Sequence, residues 1–449
     1  MIVALAHGRQ TGENPPLDLR KAVVQTEDGV DTVKVEFDGS FFRREAARLL
    51  ASLVRVFGVE NLALAEDVVQ DTLASAFEEW SFHGVPEHYS ALLMVSAKNR
   101  ALDVFRREQT VRKFAPELRY LIESEWTLRP AVEELFLPAA LKDDELRMMF
   151  SCCHPHLHED AQVALILRMV CGFGVEEIAS LYLATVAAIE KRIARGKKVL
   201  AASRRLFELN AEDFQPRLSA VHRALYLLFS EGYHGASAES VIRSELCREA
   251  IRLVRLLVDH APAATSVTYA LAALMHLHAA RLPGRTDDLG ELTGLFNQDR
   301  SRWDTELLAE GLRLLELTAS GSELSEYHIE AAIAGLHSSA GRAEDTRWGE
   351  IVFLYDALMK IRASPVVALN RAMALAQIEG PERGLQAIRE IAHADRLGTY
   401  PFYQAALGEL ELRCGRTQAA REHLLSALAL ARNPAERRFL ERRIAESAK

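Results

Sequence analysis

Three sets of polar side chains have types and spacings suited to recognition rather than to bond-making chemistry. Glu66, Asp67, Gln70 and Asp71 stand opposite Val69, Leu73 and Phe77 on a helical projection. Acids early in a helix also suit its dipole. Such a face is either a solvated surface or a docking surface for a basic coiled coil, and its composition alone favours the solvated surface. A second set, Asn99, Arg100, Asp103, Arg106 and Arg107, follows an apolar start. Guanidinium groups position phosphates, and an amide can read a base edge. Just before it, residues 81–89 carry Phe82, His83 and Tyr89, rings on which an unstacked base can rest, although aromatic loops serve many other purposes. In the third set Thr185 suits a helix N-cap. Val186, Ile189, Ile193 and Leu200 then form an apolar stripe, and Glu190, Lys191, Arg192, Arg195 and Lys198 take the other face. A major-groove recognition helix needs that division, because one face holds the scaffold and the other meets the DNA.

The elements that must position these groups read as helices. Leu49, Leu50, Leu53 and Val56 share one face of a first helix. Val69, Leu73, Ala76, Phe77 and Trp80 share a face of a second, and Leu93, Ala97, Ala101, Val104 and Phe105 of a third. Gly84 and Pro86 mark 81–89 as a loop between the last two. Residues 1–38 form an extension with a candidate short strand at 30–37. Residues 114–140, with Pro116, Pro130 and Pro138, read as a linker. Helical pattern resumes at Leu141. A short helix over 175–182, with Ile178 and Ala179 inward, turns through Leu183 and Ala184 into the third polar set, giving a helix-turn-helix.

Composition narrows the class. The chain has 449 residues, 49% hydrophobic and only 7% aromatic, which favours a helical protein of two to four domains. No apolar run is long enough to cross a membrane, and residues 1–6 lack the basic start and length of a signal peptide. Five unevenly placed cysteines form no disulfide framework, which points to the cytoplasm. A net charge of −9 argues against diffuse attraction to nucleic acid. The cations are nevertheless clustered, at Lys98–Lys113 and again at Lys191–Arg205. Local basic clusters in an acidic chain suit a subunit whose DNA affinity depends on a larger partner. Cys152, Cys153, His154, His156 and His158 have zinc-ligand chemistry. Adjacent cysteines diverge on a helix and no second ligand pair follows, so no metal is expected. Neither a phosphate-cradling glycine loop nor a nucleophile elbow is present, and no catalytic group or cofactor is assigned.

The strings AEDVVQDTLASAFEEW and LLMVSAKNRALDVFRRE resemble region 2 of the extracytoplasmic-function sigma factors, which direct bacterial RNA polymerase to promoters. That resemblance implies that Asp67, Gln70 and Asp71 face the clamp of the polymerase. It also places Asn99, Arg100, Asp103, Arg106, Arg107 and the loop with Phe82 and His83 near the melted −10 element. Related chains usually carry Trp where Leu92 stands, so packing there should differ. DDELRMMFSCCHPHL, VALILRMV and GVEEIASLYLATVAAIEKRIARGKKVL resemble region 4, which reads the −35 element and would do so here through Thr185, Glu190, Lys191, Arg192, Arg195 and Lys198.

Gly408, Gly415, Ala420, Leu424 and Ala427 have the spacing of a tetratricopeptide-like helical pair, and Ala372, Gly384, Ile388 and Ile391 give a weaker copy. Polar-aromatic strings at 229–233, 298–304 and 344–348 could line a ligand or peptide groove or fix helix packing, the latter being favoured. They resemble the sigma subgroup with a long C-terminal extension. The expected fold is therefore all-α: an extension (1–38), region 2 (39–113), a linker (114–140), region 4 (141–208), a helical domain (209–325) and tetratricopeptide-like repeats (326–449). The expected partners are core RNA polymerase, promoter DNA and an intramolecular or protein regulator acting through the tail. Two rivals are a stand-alone helix-turn-helix regulator with a repeat-based sensor, and an enzyme with its site in the C-terminal half.

Overall fold

A computed structural model of the chain describes residues 39–86, 88–107, 138–182, 184–203, 209, 211–234, 242–287, 291–321, 323–398, 400–431 and 433–447. The candidate strand at 30–37 and nearly all of the linker lie outside these residues, as do the side chains of Val56, Phe105, Arg106 and Arg107. The fold is all-α, with no strand among the described residues and one isolated antiparallel bridge, Thr286 to Leu292. No described helix is long and apolar enough to cross a membrane.

Chain contacts divide the molecule into two compact units that do not follow linear order. One holds Met1–Met148, Met169–Phe173 and Arg195–Phe207; the other holds Met149–Arg168, Gly174–Ala194 and Glu208–Lys449.

In the first unit α1 (Gly39–Phe57), α2 (Leu62–His83) and α3 (Tyr89–Arg107) pack against one another. Most of the expected stripes form the core: Leu49, Leu50, Leu53, Val69, Leu73, Trp80, Leu93 and Ala97 are buried, whereas Phe77 and Val104 are only half-buried. Burying each leucine or valine of this set contributes about 1.5–3 kcal/mol. α2 runs to His83, past the expected loop start at 81. It stops at Gly84, whose φ of 79° favours a residue without Cβ, and whose N–H donates to the Trp80 carbonyl. The next described helix, α4 (Pro138–Ser151), begins three residues before the expected restart, with proline in its first turn, where the missing N–H costs nothing. Its Asp144 is fully buried and accepts from Ser52 Oγ at 3.2 Å, with Arg55 Nε 3.1 Å away. Burial pushes the Asp144 carboxyl up to about 6, against the pull of Arg55.

The second unit contains α5 (Glu159–Met169) up to Arg168, α6 (Val175–Leu181), the first part of α7 (Val186–Ala202) and every later helix. A short turn of helix, α8 (Ala211–Phe214), leads into α9 (Leu218–His234), α10 (Ser244–Val258) and α11 (Ser266–Ala279). α11 is covered by α10, by α12 (Thr305–Leu317) and by α13 (Glu326–Ser339). That surround explains its nearly uninterrupted apolar sequence. From there each helix packs on its successor: α14 (Trp348–Ile361), α15 (Pro365–Ile378), α16 (Pro381–Arg389), α17 (Pro401–Arg413), α18 (Thr417–Ala429) and α19 (Pro434–Glu446). The small residues matter where α17 crosses α18. A Cβ on Gly408 would come within 2.8 Å of Leu424 Cγ, closer than packed carbons tolerate. Gly384 is equally tight, with Ala376 Cβ at 2.6 Å from its own would-be Cβ.

Candidate nucleic-acid interface

Of the acidic set on α2, Asp67 and Asp71 are exposed and Gln70 is half-buried. Val68, Val69, Thr72 and Leu73 turn inward between them. Partial burial, together with the neighbouring Glu66 and Asp71 carboxylates, raises the Asp67 carboxyl above the ordinary range. Glu66 is already engaged: both its oxygens accept from Lys197 Nζ at 2.6 Å. The sequence reading missed Lys197. The signal was present, since Lys197 lies four residues beyond Ile193 and so shares the buried side of its helix.

The rings expected to meet an unstacked base separate into two groups. Phe82 is 73% exposed and His83 is exposed, both on the last turn of α2 and not on a loop. Tyr89 instead packs edge-on against Phe41 at 4.7 Å and Trp80 at 6.4 Å and is half-buried. On α3, Asn99 and Asp103 are exposed, whereas Arg100 folds back to donate to Ser75 Oγ at 2.6 Å. Arg106 and Arg107 lie on α3, but their side chains are outside the described set. Lys98, not expected as a site residue, is half-buried, and desolvation lowers its amine below the usual value. Leu92 is 52% exposed.

The helix-turn-helix is built as its sequence suggests. Gly174 N–H donates to Glu177 Oε2 at 2.8 Å, closing the start of α6, and Ile178 and Ala179 are buried. Ala188 N–H donates to Thr185 Oγ1 at 3.3 Å, so Thr185 caps α7. Ile189, Ile193 and Leu200 are buried, but Val186 is 39% exposed and does not belong to the inward stripe. It lies in the first turn, before the helix meets its neighbours. Glu190, Lys191, Arg195 and Lys198 are exposed. Arg192 departs from the expected outward set: its guanidinium lies 5.2 Å over the Tyr182 ring, and its Nη1 is buried with no hydrogen-bond partner among the described residues. Lys191, Arg195 and Lys198 are exposed on one helix beside Glu190, and exposed cations can neutralise phosphates.

Cys152 and Cys153 are buried at the end of α4, and burial pushes the Cys153 thiol up to about 12. Such a thiol is a poor metal ligand. No group of three metal-ligating side chains occurs among the described residues.

Comparison with known proteins agrees with this geometry. Residues 147–200 match the family described as sigma-70, region 4, and residues 217–319 match a family of unknown function, DUF6596. An uncharacterized protein of Rhizobium meliloti is 36% identical over 394 residues, covering 87% of this chain and 91% of that one. RNA polymerase sigma factor CarQ of Myxococcus xanthus is 31% identical over 162 residues, covering 35% of this chain and 84% of that one. No solved structure matches. With a capped helix-turn-helix inside the matched region and a sigma-factor relative aligned over most of its length, the chain belongs to the sigma-70 family, and its helix-turn-helix has the DNA-binding role of a sigma factor.

Proposed function

We propose that this protein is a sigma factor of the extracytoplasmic-function type, which binds core RNA polymerase and directs promoter-specific initiation in the cytoplasm. Asp67, Gln70 and Asp71 dock on the polymerase. Asn99, Arg100, Asp103, Arg106, Arg107, Phe82 and His83 meet the −10 element, and Thr185, Glu190, Lys191, Arg192, Arg195 and Lys198 meet the −35 element. The C-terminal helices form a tetratricopeptide-like regulatory domain that acts through an intramolecular or protein partner. The mechanism is binding without covalent chemistry. The observation that carries this reading is the exposed pair Asp67 and Asp71, on a helix whose other face is spent on the core. Paired carboxylates on that face are suited to a basic coiled coil of the polymerase.

Run-off transcription with purified core polymerase tests it. Promoter-specific product should require both components, and charge reversal at Asp67 and Asp71 should abolish core binding in a pull-down. One observation favours the rival stand-alone regulator. Glu177 of α6 pairs with Arg243, just before α10, at 3.1 Å, so the DNA-binding motif and the C-terminal helices are joined as a sensor and its reader would be. Tight operator binding by the protein alone, in a gel shift without polymerase, would select that reading.

A further inference from the structure

The polar-aromatic strings of the C-terminal half come together at one place. Two guanidinium groups lie against the Trp303 indole, Arg300 4.9 Å and Arg281 5.5 Å from its ring centroid. Arg300 Nη1 donates to the His337 carbonyl at 2.8 Å and to the Ala340 carbonyl. Nearby, Arg285 lies 4.1 Å over the Tyr233 ring and donates to the Tyr233 carbonyl, and His278 lies 5.0 Å from the same ring. Burial, and after it the Arg281 charge, depresses His278, His337, Arg285 and Arg300.

Three features set this cluster apart from ordinary packing. Among the described residues, no carboxylate forms an ion pair with Arg281, Arg285 or Arg300; Glu344 and Asp345 influence Arg300 only from a distance. Three of its buried polar atoms lack a hydrogen-bond partner among the described residues: Arg281 Nε, Trp303 Nε1 and His337 Nδ1. Arg281 is only 8% exposed and Trp303 5%, whereas Arg285, Arg300 and His278 are half-buried. An unpaired buried guanidinium is strongly unfavourable unless an anion compensates it. Water bridges single donors but supplies no charge. Planar guanidinium forks match the two oxygens of a carboxylate or phosphate.

We propose that this cluster is a binding site for a small-molecule oxyanion, a phosphate or carboxylate group held by Arg281, Arg285 and Arg300 with the Trp303 N–H as a further donor. It provides a chemical input to the C-terminal half that is separate from the DNA-binding face.

The test uses the full chain, titrated with inorganic phosphate, pyrophosphate or succinate at ionic strength matched with chloride. Binding is read by calorimetry and by intrinsic fluorescence. Saturable binding of one probe is expected, weakened about tenfold or more by Arg300→Gln and by Arg285→Gln, in keeping with loss of a charge-assisted hydrogen bond. Trp303→Phe keeps the ring, removes the N–H and should weaken binding less. The phosphate and succinate arms separate the two oxyanions. Circular dichroism checks each variant, and if Arg285→Gln fails to fold, the half-exposed Arg300 decides. The proposal is overturned if no probe saturates, or if binding is the same in every folded variant. The assay contains neither polymerase nor DNA, so its failure leaves the transcription reading untouched.

Discussion

The helix-turn-helix and the Trp303 cluster use the same side-chain chemistry in opposite environments. On α7, Lys191, Arg195 and Lys198 stand in solvent, where a cation costs almost nothing to keep and is free for a phosphate. Around Trp303, Arg281 and its neighbours are desolvated, packed on rings and short of acceptors. A solvated cation gives long-range, salt-sensitive attraction to any phosphate backbone. A desolvated one gives a short-range preference for a ligand of the right charge and shape. The comparison shows that count of basic residues says little about function until burial is known.

The contrast can be broken most severely at its buried end. Trp303→Ala removes the buried ring on which two guanidinium groups pack and should cost about 3–5 kcal/mol of stability, as other large core truncations do. A melting temperature within a degree or two of wild type would show that the cluster is not packed as described. At the exposed end, Arg195→Ala should weaken binding to a −35 element by about 1–3 kcal/mol while stability stays within about 0.5 kcal/mol. Lys191→Ala should lower the salt dependence of DNA binding by about one unit of slope. Loss of folding in either variant would contradict the exposed placement.

Acid should divide the two units next. His222 and His337 are buried in the C-terminal half, and desolvation lowers both from 6.5 to about 4. The fold therefore prefers their neutral rings. The stability they contribute is complete above pH 6.5 and is lost as pH falls toward 4, because the unfolded chain takes up protons first. Asp144 acts in the opposite sense. With its carboxyl raised from 3.8 to about 6, the front unit bears a penalty above pH 6 that is relieved as pH falls toward 3.8. Thermal melts across this range should show the C-terminal unit weakening first. His222→Gln should flatten that slope, isolating the ring from the raised Glu330 carboxyl of the same unit.

The smallest effect belongs to an intermediate case. Lys197 is 27% exposed and its partner Glu66 20%, so Lys197→Ala should change stability by less than about 1 kcal/mol. If the α2 face docks on polymerase, the variant should bind core a few-fold more tightly, because Glu66 no longer holds an internal cation. Weaker core binding would place Lys197 on the docking surface itself.

The local pattern of the chain was enough to specify the helices, the stripes Leu49–Leu53 and Val69–Trp80, the Thr185 cap and the exposed acids at Asp67 and Asp71. Each depends on neighbours within one or two turns, and the 3.6-residue period reports those directly. Where α2 ends was less legible: the residues at 81–83 continue the helix to the Gly84 cap, and aromatic side chains there gave no boundary signal. Only the tertiary structure decided which polar groups are available. It set Arg192 over Tyr182, spent Arg100 on Ser75, clasped Lys197 to Glu66 across 131 residues, and brought Arg281 and Arg300 to one indole. Burial, and with it the free energy of a charge, is fixed by what the rest of the chain places beside the side chain, and that information has no period to read.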